Sequence, residues 1–120
     1  MAARSPITTH VLDTRTGLPA PSMAIELESF VHDQWRSLGR GVTDSSGRIT
    51  DILPSDFSLS SGRYRMIFET GPYFQAQAVP HFYPSVVIEF EVHAPSEHYH
   101  IPLLISPFGY STYRGSRAGS

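Results

Sequence analysis

Four stretches of this chain alternate apolar and polar side chains with a period of two. That period suits half-buried β-strands and excludes amphipathic helices over the same residues. Val86, Ile88, Phe90 and Val92 alternate with Glu89, Glu91 and His93, which makes the clearest strand. Tyr64, Met66 and Phe68 alternate with Arg63, Arg65 and Glu69, and Met23, Ile25, Leu27 and Val31 with Glu26, Glu28 and His32. Tyr99, Ile101, Leu103 and Ile105 form an apolar face opposite His98 and His100.

Shorter signals fill in the rest. ITTHVL, residues 7–12, is rich in β-branched residues, with Ile7, Thr9 and Val11 on one face and His10 on the other. The turn-forming DTRTGLPAPS follows it, and WRSLGRGVT reads as the hairpin partner of the 23–31 strand, with Asp33 and Gln34 between them and Trp35 as a core or edge aromatic. TDSSGR is a tight turn that presents Arg48. Residues 51–61 read as a loop in which Leu53, Phe57 and Leu59 plug the edge of the core. TGPYFQAQA reads as one short helix with Thr70 as its cap and Pro72 at its first position, and YSTYR as the last strand. Seven or eight short strands with turns between them imply an antiparallel β-sandwich, and 120 residues without an internal repeat or linker imply a single domain over 1–120.

Composition limits the chemistry. There is no cysteine, and all nine basic residues are arginine, so thiol nucleophiles, disulfides and lysine Schiff bases are excluded. A net charge of -2 gives no basic field for nucleic acid or anionic lipid, and nowhere do eighteen apolar residues run together. The opening residues are too short and polar for a secretory leader, and Ala118 to Ser120 do not form a peroxisomal terminus. The chain therefore reads as cytoplasmic, with a peroxisomal address open if a leader once preceded it.

Histidine is the side chain suited to proton transfer near neutrality, and His10, His98 and His100 all lie opposite the apolar sides of their strands. In HYH the two rings, two residues apart on a strand, face the same way. The pair could also hold a metal with His10 as third ligand, a reading ranked below proton transfer because no carboxylate has second-shell spacing. No GxSxG elbow, triad order or glycine-rich phosphate loop is present, which points to activated water as nucleophile and leaves no cradle for a nucleotide cofactor.

HVLDTRTGLPA, TDSSGR, ETGPYFQAQAVPHFYP and HYHIPLLISPFGYSTYRGS together resemble the 5-hydroxyisourate hydrolases, transthyretin-related enzymes of urate breakdown, over about residues 6–116. YRGS is the most specific part. Transthyretin, a hormone carrier of the same fold, lacks YRGS and these histidines, and a carrier without catalysis is the alternative function. The resemblance implies a transthyretin-like sandwich of two four-stranded sheets and a homotetramer, a dimer of dimers. Its substrate sites lie between dimers, lined by the first strand and the last two. It implies catalytic roles for His10, Arg48 and His100, substrate binding by His10, Arg48, Tyr113, Arg114 and Ser116, and a supporting role for His98, with no cofactor. The implied reaction is hydrolysis of 5-hydroxyisourate to 2-oxo-4-hydroxy-4-carboxy-5-ureidoimidazoline. The sequence departs from the pattern where Arg117 to Ser120 follow YRGS.

Overall fold

The structure is a computed structural model that describes residues 4–116, so the extension after Ser116 lies outside the described residues. Its strands are β1 (Ile7–Asp13), β2 (Leu18–Pro19), β3 (Ala24–Val31), β4 (Gln34–Val42), β5 (Arg48–Ile49) and β6 (Gly62–Phe68), followed by helix α1 (Thr70–Gln75) and strands β7 (Val86–Val92), β8 (Tyr99–Ser106) and β9 (Gly109–Thr112). They form two sheets. One runs β4-β3-β6-β7, and the other runs β2-β1-β8-β9 with β5 also paired to β1. The sandwich with one short helix is the expected class. Two-residue strands β2 and β5 make the second sheet five-stranded, because the turns around β1 fold back and hydrogen-bond to it.

The two sheets meet through the alternating faces. Ile7 and Val11 of β1, Ile25 and Leu27 of β3, Met66 and Phe68 of β6, and Leu103 and Ile105 of β8 are buried. Each such side chain contributes about 1.5 to 3 kcal/mol of burial. Leu53 and Leu59 are buried with them, and Phe57 packs against the same core. Val31, expected inward, is exposed. It lies at the tip of the β3–β4 hairpin, beyond the core, where His32 and Asp33 take positive φ and make the two-residue turn. Trp35 is half-buried on edge strand β4, against Phe30 and beneath the Arg65 guanidinium.

Two local expectations are corrected. Thr70 does not cap α1: Glu69 precedes the helix without a side-chain cap, and Pro72 is its third residue. The Gly71 N–H instead donates to the Pro84 carbonyl, so the following loop satisfies part of the helix start. The last strand ends at Thr112, leaving Tyr113 and Arg114 beyond it. One pairing runs parallel, β1 with β8. Alternation does not register strand direction, and the chain passes through the other sheet between these two strands, as a parallel pair requires.

Candidate active site

The parallel ladder puts Thr8 opposite His100 and His10 opposite Pro102, while on its other side β1 sets His10 opposite Arg48 of β5. Ile7, Thr9 and Val11 point into the sandwich, so Thr8 and His10 point to the outer face, together with His100 of β8. His100, His98, His10, Arg48 and Arg4 are close enough to interact electrostatically. Four of the seven residues singled out from sequence therefore converge: His10, Arg48, His98 and His100.

Arg48 is delivered by its turn. The Asp44 carboxylate accepts hydrogen bonds from the Ser46 N–H (2.9 Å), the Ser46 hydroxyl (2.6 Å) and the Arg48 N–H (3.0 Å). These bonds hold the Asp44 pKa below the usual carboxylate value, with the Ser46 hydroxyl as the largest cause. Gly47 between them has φ 76°, and a Cβ there would lie 2.4 Å from the Val11 carbonyl oxygen, so backbone freedom and close approach are both needed. The Gly47 carbonyl accepts from the Val11 N–H at 2.8 Å, tying the turn to β1.

Two polar atoms of this pair are buried without a hydrogen-bond partner, His10 Nε2 and Arg48 Nε. An unsatisfied buried polar group costs about 1 to 3 kcal/mol, so two of them on facing residues call for a partner such as water or a ligand. Burial, then the positive charge of Arg48, lowers the His10 pKa, against a smaller raising effect from a backbone hydrogen bond to Ser46 and from Asp44.

On the neighbouring strand His100 is 5% exposed, and its pKa falls to about 4, first through burial and then through the charges of His98, His10, Arg48 and Arg4. It is neutral at physiological pH. Although it lies opposite the apolar side of its strand, the ring is buried, because the segment after β9 lies over it. The Gly115 N–H donates to the His100 carbonyl at 2.9 Å, and a Cβ on Gly115 would sit 2.6 Å from His100 Cδ2. His98 is half-buried, with its pKa lowered by burial and by Arg4.

The other three residues are placed differently. Tyr113 is 62% exposed. Arg114 donates to Glu97 Oε1 at 3.1 Å, and its guanidinium stacks 4.4 Å from the Tyr99 ring. Ser116 is exposed. A cavity of about 350 Å³ between β7 and β8 is lined by Ile88, Phe90, Tyr99, Tyr113 and Arg114; it touches His100 but neither His10 nor Arg48. Thr8, Arg4 and Gly115 went unremarked in the sequence. Thr8 had a signal, since it shares the outer face of its strand with His10.

Fold and site together define a β-sandwich protein with a histidine and arginine cluster on the outer face of one sheet, suited to binding a polar small molecule and moving protons. The chain belongs to the HIUase/Transthyretin family, whose model matches residues 7–115. It is 43% identical over 115 residues to the 5-hydroxyisourate hydrolase of Salmonella dublin, covering 96% of this chain and 84% of that one. The structure of Klebsiella pneumoniae 5-hydroxyisourate hydrolase superposes with a TM-score of 0.80 at 34% identity, covering 92% of this chain and 98% of that one. Sea bream transthyretin in complex with thyroxine superposes with a TM-score of 0.84 at 32% identity, covering 92% and 95%. The sandwich is thus shared by a hydrolase and a thyroxine-bound transthyretin, and side chains must distinguish them.

Proposed function

We propose that this chain is a 5-hydroxyisourate hydrolase of urate degradation. The observation that carries the reading is the facing pair His10 and Arg48, each with a buried, unpartnered nitrogen, beside a neutral buried His100. The relationship to hydrolases such as that of Salmonella supports the substrate.

In the reaction a neutral His100 or His10 takes a proton from water as its oxygen attacks the ring carbonyl. The carbonyl carbon to nitrogen bond then breaks, and the other histidine or an ordered water protonates the departing nitrogen. Such proton transfer contributes roughly 10²- to 10⁴-fold. Arg48 holds the anionic purine and the developing oxyanion, worth about 3 to 4 kcal/mol if it acts as an oxyanion-hole donor does. Tyr113 and Ser116 orient substrate through hydrogen bonds, and Arg114, engaged with Glu97 and Tyr99, shapes the approach.

The assembly is a homotetramer with the site between dimers. Its support is the exposed Phe108, Tyr110 and Tyr113 in and beside β9, an edge strand of the sheet that bears the histidines. The carrier reading draws on the likeness to sea bream transthyretin. Ultraviolet decay of freshly made 5-hydroxyisourate separates the two: acceleration over buffer, lost in His100→Asn with its oligomer intact, supports the hydrolase. No acceleration by the wild-type protein supports the carrier, and near-normal rates in His100→Asn remove His100 as acid or base. Full activity after chelation disposes of a metal reading.

A further inference from the structure

The side chain of Thr8 lies between the two histidines of HYH. Its Oγ1 is 2.9 Å from His98 Nε2 and 2.8 Å from His100 Nδ1, and the residue is only 2% exposed. A hydroxyl has a single proton and two lone pairs, so it can donate to at most one of these nitrogens and accepts from at least one. The nitrogen it accepts from must carry hydrogen. At least one of the ring nitrogens facing Thr8 therefore carries hydrogen, and where the hydroxyl donates to the other, that one is bare. In a neutral imidazole that choice fixes the far nitrogen as well.

We propose that Thr8 is a positioning residue that accepts from His100 Nδ1–H and donates to His98 Nε2, so that His100 presents an unprotonated Nε2 to the reacting water. The choice between the two polarities rests on His100 acting as base, the reading given above. With the reverse polarity its Nε2 would carry hydrogen and could not take the proton. The same arrangement gives His98 a task. Once His100 Nε2 has gained a proton from water, the Nδ1 proton passes to Thr8 Oγ1 as the Thr8 hydroxyl proton passes to His98 Nε2. His100 is left neutral with hydrogen on Nε2, Thr8 is again a hydroxyl, and the positive charge rests on the half-buried His98. The hydroxyl thus links the two rings and sets the tautomer of each.

The test combines nitrogen NMR of ¹⁵N-histidine-labelled protein with kinetics of Thr8→Val and Thr8→Ser on 5-hydroxyisourate. In the wild-type protein His100 should show a protonated Nδ1 and a bare Nε2, with His98 bare at Nε2; the reverse pattern overturns the proposal whatever the variants do. Thr8→Val keeps the shape and removes the hydroxyl. Its kcat should fall by about tenfold or more, up to the roughly 10²- to 10⁴-fold that proton transfer contributes, while KM changes little. Thr8→Ser, which restores the hydroxyl, should recover most of the loss. Unchanged kcat in folded Thr8→Val overturns the idea, as does equal loss in both variants. If the wild-type protein does not hydrolyse the substrate, or His100→Asn is as fast as wild type, the underlying reading fails instead.

Discussion

A single methyl group placed on Gly115 tests how the terminal segment depends on the buried histidine. In Gly115→Ala the new Cβ would stand 2.6 Å from His100 Cδ2, 3.0 Å from its Cβ and 3.1 Å from its Cγ. Carbons in contact sit at about 3.5 to 4.0 Å, so one side must retreat by about 1 Å. His100 is poorly able to move: its Nδ1 is held 2.8 Å from Thr8 Oγ1, and its backbone lies in the ladder with β1. Forcing the ring aside is an overpacking change of about 1 to 3 kcal/mol. Lifting the segment releases the backbone hydrogen bond from Gly115 to His100, about 0.5 to 1.5 kcal/mol, so the segment moves. Thermal unfolding should therefore shift down by only about 2 to 6 °C. Tyr113 and Ser116 shift with the segment, and a displacement near 1 Å can cost on the order of 10²-fold in rate. The expected result is a large fall in kcat/KM for 5-hydroxyisourate, followed by ultraviolet decay, with the fold nearly as stable as before. Wild-type kinetics with an unchanged melting temperature would refute the steric argument. A large loss of stability would show that the ring, not the segment, gave way.

Protonation of His100 makes a second prediction. Its folded pKa of about 4 lies below the unfolded value near 6.5, so between these values the unfolded chain binds a proton that the folded chain does not. Stability should fall as pH drops from about 6.5 towards 4, by at most roughly 3 kcal/mol from this group, measurable as denaturant midpoints at successive pH values. Activity that needs neutral His100 should stay level down to about pH 5, and half-loss near pH 6.5 would contradict it. Arg48→Gln should lower kcat by about 10²- to 10³-fold while leaving the melting temperature close to wild type, and an unaltered kcat would remove it from the chemistry. Tyr73→Phe has the opposite profile. Its hydroxyl donates to the fully buried Asp13 carboxylate at 2.9 Å, so losing it should cost about 1 to 3 kcal/mol of stability without changing kcat, as paired melting and turnover measurements would show.

Period-two alternation was enough to place β3, β6, β7 and β8 and to choose the side of each that faces the core, because packing between two sheets is decided residue by residue along a strand. The same logic put His10, His98 and His100 opposite the apolar faces of their strands. Composition removed thiol and amine chemistry outright, and the YRGS resemblance indicated the family. Alternation could not show that β1 runs parallel to β8, that the 44–48 turn sets Arg48 opposite His10, or that Gly115 closes over His100. Those are contacts between residues far apart in the chain, set by strand order and register, which local periodicity does not encode. Nor could it show that Thr8 lies between two histidines some ninety residues away, since that follows from the parallel register.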